Sequence, residues 1–260
     1  MRIKSASLTS ALALAVALGA SQAANSADVA KPVYKAPPLK AAAPTWTGFY
    51  VNAGGGYGLW TGQLYTSTIP GFGEPAARAT EIQGGRGGLG RFGGGFDYQF
   101  NSRIVAGLFA DYDVSSLKGT IHDPAFPISA DIKQDSAWAV GGRVGWLINP
   151  ALLSYVTGGY THANFTSGAM TVAMTGAPLG PAGVPIGLNT PAFSRSGWFL
   201  GGGAEAALGN GFYARTEYRY ATYDDQVLTV TGLTPPPFGF TRTNDIHFNP
   251  SVQTVTASLV

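Results

Sequence analysis

The stretch Phe212–Tyr223, FYARTEYRYATY, constrains the fold more than any other part of the chain. Its odd positions carry Arg215, Glu217 and Arg219, and its even positions carry Phe212, Ala214, Thr216, Tyr218 and Tyr220. A two-residue period belongs to a β-strand, whose successive side chains point to opposite faces. Here three full charges share one face, while aromatic and small groups share the other. Two environments sort side chains this way: a sheet with one wet face, or a barrel strand whose charges line a lumen and whose tyrosines meet lipid.

Composition separates the two. Only 12% of the 260 residues are charged, about half the ~25% of an ordinary soluble domain. So few charges cannot cover a wholly aqueous surface, and part of it must face a non-aqueous neighbour. Beyond the first two dozen residues no apolar run approaches the ~18 residues of a membrane helix, so a membrane would be crossed by strands. The formal net charge is +2. Arg2 and Lys4 are the only charges before Asp28, so the chain without its leader is neutral, which removes the electrostatic footing for nucleic-acid binding.

Three segments are expected. Residues 1–26 read as an export signal: Arg2 and Lys4, an apolar core over 8–18, then small residues, with cleavage after Ala23 or after Ser26. Residues 27–45 hold four prolines and three lysines and are expected to form an extended periplasmic linker. An alternative puts Lys31, Lys35 and Lys40 against an anionic envelope polymer or lipid headgroup. Residues 46–260 are the barrel. With no cysteine, it uses no disulfides.

The alternation recurs from Trp46 onward. Phe49, Val51, Ala53, Gly55, Tyr57 and Leu59 share a face, as do Phe92, Phe96, Tyr98 and Phe100, and then Leu108, Ala110 and Tyr112. The fourth run has Trp138, Val140, Val144, Trp146 and Ile148, the fifth Val156, Gly158 and Tyr160, and the sixth Trp198, Leu200, Ala204, Ala206 and Leu208. Phe212–Tyr223 is the seventh, and Val255, Ala257 and Leu259 mark an eighth. Tight turns are expected at 101–102, 149–151 and 209–211 by residue type, and long connections at 61–86, 115–133, 165–195 and 224–243. Short and long links alternate strictly. The expected fold is therefore all-β: an eight-stranded antiparallel up-and-down transmembrane β-barrel with short periplasmic turns and long extracellular loops.

Nine charges fall within these strands: Arg91, Asp97, Asp111, Asp113, Arg143, Glu205, Arg215, Glu217 and Arg219. Each lies opposite the bulky apolar face. An arginine turned to lipid costs about 2–4 kcal/mol at the midplane, so several would cancel a stability of about 5–15 kcal/mol. The nine are expected to form a lumen-facing network. A lipocalin-like soluble barrel would invert the pattern, but it would carry far more surface charge.

The motifs Trp46-Thr47-Gly48-Phe49-Tyr50-Val51, Tyr155-Val156-Thr157-Gly158-Gly159, Gly201-Gly202-Gly203-Ala204-Glu205 and Glu217-Tyr218-Arg219-Tyr220 together resemble the opacity-like, porin-like outer-membrane proteins of alphaproteobacteria. The resemblance covers the chain from about Ser26 onward. It implies an eight-stranded barrel of the cell outer membrane, often an abundant surface protein concerned with envelope integrity or host contact. It also implies contact with outer-membrane lipid and lipopolysaccharide, and with the barrel-insertion machinery. Such chains usually end in an aromatic that this machinery reads. The phase of Val255, Ala257 and Leu259 places that residue three positions beyond Val260.

An eight-stranded interior is about wide enough to be filled by side chains. Four positive and five negative inward charges suit ion pairs that plug the lumen, whereas a selective pore favours one sign. The glycines at 93–95 and 201–203 leave room for water, so a narrow passive pore is the alternative. A lipid-modifying enzyme is a second alternative: His122, His162 and His247 are expected in or beside loops or at a strand end, with Ser194, Ser196 and Asp225 as partners. No catalytic motif selects such a set. The run 85–90 fits GxGxxG, but no helix or acidic partner follows it. Asp111 and Asp113 lack metal-ligand spacing. No cofactor, metal or catalytic residue is expected. The apolar 165–195 connection and the proline run at 234–240 suggest surface contact.

Overall fold

The structure, a computed structural model, describes residues 44–68, 78–122, 128–172, 185–189, 192–233 and 241–260. The expected signal and nearly all of the linker, with the lysines weighed for envelope contact, lie outside these residues, as does the proline run at 234–240. Among the described residues there is no helix. The strands are β1 (Gly48–Thr68), β2 (Arg78–Gln99), β3 (Ile104–His122), β4 (Ile128–Asn149), β5 (Leu152–Ser167), β6 (Ala169–Val172), β7 (Pro185–Asn189), β8 (Phe193–Gly209), β9 (Phe212–Tyr223), β10 (Gln226–Leu233) and β11 (Thr241–Leu259).

Eight of them close a barrel in the order β1-β2-β3-β4-β5-β8-β9-β11, and β11 pairs back onto β1 from Ala53↔Leu259 to Thr68↔Asn244. Every neighbour is antiparallel. The three tight turns lie at one end. Asn101 Oδ1 accepts from the backbone N–H groups of Arg103 and Ile104 at 2.8 and 2.9 Å, and Asn149 Oδ1 accepts from that of Ala151 at 2.9 Å. The β8–β9 turn needs left-handed backbone at Gly209, Asn210 and Gly211, with φ of 97°, 54° and 83°, which Gly and Asn adopt at least cost.

The connections at the other end differ from expectation. Most of 61–86 is hairpin: β1 and β2 stay paired from Gly48↔Asp97 to Ser67↔Arg78. β3 and β4 pair as far as His122↔Ser129. Within 165–195, β6 continues along β4 and β7 pairs with β6; within 224–243, β10 pairs with β11. The reason is that the outer face turns polar at Thr61, Ser116 and Ser136, so alternation loses its hydrophobic contrast while the backbone ladder continues. His122 accordingly ends β3, beside the connection that follows, and His247 sits within β11.

Burial follows the alternation. In β9 the odd residues from Arg215 to Tyr223 are buried, while Thr216, Tyr218 and Tyr220 are exposed. Phe49, Val51, Leu108, Val144, Val156, Leu200 and Val255 are all more than half exposed on the outer face. From Phe49 to Leu59 this apolar band spans ten steps, about 25 Å at ~3.3 Å per residue and ~40° tilt, the height of a bilayer-facing band. Aromatic girdles edge it. Phe49 and Phe96 (4.9 Å) lie near the turns, while Trp138 and Tyr160 (5.4 Å) lie toward the far end.

Candidate functional site: the filled lumen

The interior is layered. At the turn end Trp46, Val105, Leu147, Leu153 and Tyr155 form an apolar floor with Tyr213 packed on it. The Trp46 indole Nε1 donates to Pro150 O at 3.1 Å, and its ring sits 4.8 Å from that of Tyr213. Tyr213 Oη donates to Thr45 O at 2.6 Å. The tryptophan of the Trp-Thr-Gly motif thus folds inward and ties the chain entering β1 to the floor of the barrel.

Above the floor lie all nine charged residues singled out in the sequence, because each falls in the inward phase of its strand. They form two clusters. In the first, Arg143 forks onto Asp97, its Nε donating to Oδ1 at 2.9 Å and Nη2 pairing with Oδ2, while its Nη1 donates to Glu205 Oε2 at 2.9 Å. Arg215 Nε donates to the same Glu205 oxygen at 2.8 Å. The Tyr50 ring lies 4.7 Å from the Arg143 guanidinium and 4.8 Å from that of Arg215. The guanidiniums therefore pack on an aromatic face while their edges meet carboxylates.

In the second cluster Arg91 forks onto Asp113 at 2.7 and 2.8 Å, and its Nη1 donates to Glu217 Oε1 at 2.9 Å. Arg219 forks onto Asp111 at 3.0 and 2.7 Å and also donates to Glu217 Oε1. Its guanidinium lies 4.3 Å from the Phe199 ring. Tyr155 joins the two clusters, donating from Oη to Glu217 Oε2 at 3.0 Å with its ring 5.2 Å from the Arg143 guanidinium. Each of these four arginines thus meets at least one carboxylate, which is what keeps buried charge tolerable.

Nearer the far end the interior is apolar again: Trp60, Leu117, Ile132, Phe165 and Phe248 are almost fully buried. The sequence reading placed only charges inside and missed this layer. Its signal was available in the even positions of β1 and the odd positions of β5, which carry Trp60 and Phe165. A register shift between Gln134 and Ser136 hid Ile132 by flipping the phase of β4. Below that shift Ala137 and Ala139 point in; above it Ile132 and Gln134 do.

The inward glycines do not leave open water-filled space as expected. A Cβ on Gly95 would meet Tyr50 Oη at 2.6 Å, and one on Gly203 would meet Tyr155 Oη at 2.7 Å. The tyrosines that serve the clusters lie across these glycines. Among the described residues, two cavities measure about 10 and 20 Å³, one beside Tyr50, Arg91 and Arg215 and one beside Gln134, Thr161 and Thr254. Each has room for about one water.

The residues weighed for catalysis fall elsewhere. His162 on β5 and Ser196 on β8 are opposite one another and face outward. His162 Nδ1 lies 3.2 Å from Ser196 Oγ, and Tyr160 Oη donates to that oxygen at 2.6 Å. The Trp138 ring stacks on the imidazole at 5.7 Å. His122 lies on another wall, and the side chain of His247 is outside those described. The GxGxxG run is plain β2 strand. Among the described residues no group of His, Asp and Glu is placed to hold a metal.

The sequence matches the outer membrane protein beta-barrel domain over residues 10–253. It is 27% identical over 207 residues to a 31 kDa outer-membrane immunogenic protein of Brucella melitensis and to that of Brucella suis, a match covering 76% of this chain and 81% of theirs. Among solved structures it is similar to the attachment invasion locus protein of Yersinia pestis (13% identity, 78% of this chain and 98% of that chain, TM-score 0.31). It is also similar to Neisserial surface protein A (10%, 78% and 96%, TM-score 0.36). A third is the outer membrane protease OmpT from Escherichia coli (10%, 80% and 95%, TM-score 0.38). An outward apolar band, ionised groups turned inward and a match over most of the chain have one meaning: the protein belongs to the outer-membrane β-barrel domain family and resides in the cell outer membrane.

Proposed function

We propose that the protein is a non-conducting, non-enzymatic barrel with a structural and surface role in the envelope. The observation that carries this reading is the double ion cluster capped by apolar layers on both sides. Four arginines and five carboxylates span the lumen, and the cavities beside them hold about one water each. A hydrated ion has no continuous path through such a filling. The near balance of charge supports the same reading, since a selective pore concentrates one sign. The similarity to the Brucella immunogenic proteins supports a place at the cell surface. The test is reconstitution in a planar bilayer: folded protein is expected to give no stable conductance steps, and regular single-channel steps would defeat the reading in favour of a narrow pore.

One observation favours a second reading, an outer-leaflet acyl hydrolase: Ser196 Oγ has a histidine nitrogen at 3.2 Å and a tyrosine hydroxyl at 2.6 Å, the beginning of an activated nucleophile. Release of fatty acid from lipopolysaccharide by purified protein, lost in Ser196→Ala and in His162→Ala, would establish it.

A further inference from the structure

Three cations line up on the outside of the barrel. Arg86 on β2 is directly opposite Lys118 on β3, and Lys118 is directly opposite Lys133 on β4. All three side chains point away from the lumen, since their strand neighbours Leu89, Leu117, Ile132 and Gln134 are the buried ones. Like charges directly opposed on an antiparallel pair destabilise it, so the row needs a reason. Two carboxylates stand near it. Asp135 pairs with Lys133, and Asp131 accepts from Thr120 Oγ1 at 2.7 Å. Lys133 is thereby neutralised. Asp135 also feels the charge of Lys118, but among the described residues neither Arg86 nor Lys118 makes a direct ion pair, and both are exposed.

The height of the row is informative. Arg86 is opposite Leu59, the last outward apolar residue of β1 among those whose side chains are described, and Ile82 is a single exposed apolar residue further out on β2. Lys118 is four residues beyond Val114, the last outward apolar residue of β3, or ~10 Å above the band at ~3.3 Å per residue and ~40° tilt. Long basic side chains reach back toward such a boundary. The row therefore begins at the edge of the hydrocarbon and rises through the headgroup layer of the outer leaflet. Below Arg86 the outward positions of β2 are Gly88 and Gly90, where an added Cβ would meet nothing closer than 3.9 Å. The surface under the cations is thus smooth enough for an acyl chain to lie against it.

We propose that Arg86 and Lys118 bind the phosphate of an outer-leaflet glycolipid headgroup. A phosphate between them offers charge-assisted hydrogen bonds to both and removes the repulsion that their pairing creates. The site rests on the placement of the barrel in the outer membrane and on neither reading of its lumen. It is distinct from the interior network, which faces the other way.

The experiment uses full-length protein folded in neutral detergent, checked for folding by the mobility difference between boiled and unboiled samples. Binding of bisphosphorylated lipid A and of its dephosphorylated form is measured by native mass spectrometry for wild type and for Arg86→Gln/Lys118→Gln. With about 1 kcal/mol per cation near an anionic lipid surface, the double variant is expected to bind lipid A about 30-fold more weakly, and wild type to prefer the phosphorylated form by a similar factor. Equal binding of both lipids by wild type, or unchanged binding by a folded double variant, overturns the proposal. Arg103→Gln, near the turns at the other end, is the control and is expected to bind as wild type does; an equal loss there would show bulk electrostatics in place of a site. Silence in the planar bilayer is unaffected by any of these outcomes, so the two proposals fail separately.

Discussion

Glu205 is the sharpest probe of whether the lumen is dry. It is 2% exposed and one of its oxygens accepts from both Arg143 and Arg215, at 2.9 and 2.8 Å. Glu205→Gln keeps the shape and removes the charge, leaving Arg143 with Asp97 alone and Arg215 without its carboxylate. In a desolvated interior, breaking a buried pair by deleting one partner costs about 3–5 kcal/mol. Two charge-assisted hydrogen bonds at about 1.5–3 kcal/mol each give the same range. Adding Arg215→Met restores the balance of the cluster and is expected to recover most of that loss, because Arg143 then keeps Asp97 as sole partner. The assay is equilibrium urea unfolding from phospholipid vesicles, followed by tryptophan fluorescence, at low and high salt. A loss below about 1 kcal/mol that shrinks further with salt would refute the reasoning, since it would mean that water screens these charges and that the lumen is an aqueous channel.

Three other outcomes are expected. Trp46→Ala removes the floor contact with Tyr213 and the bond to Pro150 O, and is expected to lower stability by about 3 kcal/mol in the same unfolding assay. Gln83 holds β2 to β3 beyond the last regular pair, its Nε2 donating to His122 O at 2.7 Å and its Oε1 accepting from His122 N at 2.5 Å. Gln83→Leu is expected to speed amide exchange at His122 while leaving exchange at Asp113 unchanged. Asp135, at the rim above the membrane, is pushed up by partial burial but held below the ordinary carboxylate range by the Lys133 ammonium and the Thr166 hydroxyl, with the Lys118 charge adding to the effect. Its pairing stabilises the barrel above the unfolded carboxylate pKa of about 3.9 and is lost as pH falls through the lower folded value. Half-exposed groups of this kind contribute under about 1 kcal/mol, so the check is an NMR titration of the Asp135 carboxyl, which should shift upward in Lys133→Met.

The residues that could be read from sequence were those with the largest transfer penalties. Arg143 or Arg219 on the lipid face is intolerable, so the phase of each membrane-spanning strand could be deduced and the eight-stranded closure followed. Where the outside is water the argument loses its force. Thr61 and Gln63 face solvent as readily in a loop as in a strand, and 61–86 therefore looked like a connection. Arg86, Lys118 and Lys133 were lost for the same reason, each inside or at the edge of an expected loop. Trp60 and Phe165 had the right spacing for the interior, but an expectation of charge there hid them. The place of Trp46 depends on Pro150 and Tyr213, more than a hundred residues away, and no local pattern encodes that.

The pairing of β11 with β1 joins Ala53 to Leu259 and Tyr57 to Val255. The seam is thus sealed by residues made roughly two hundred positions apart, and until the final strand arrives the sheet has two open edges. Chains dominated by such distant pairings assemble slowly. An unfinished sheet would also leave Arg91 without one of its partners, Glu217 on β9, until late in synthesis. Closure of the barrel therefore waits on the pairing of β11 with β1, and that pairing is where the kinetics of its assembly are expected to be set.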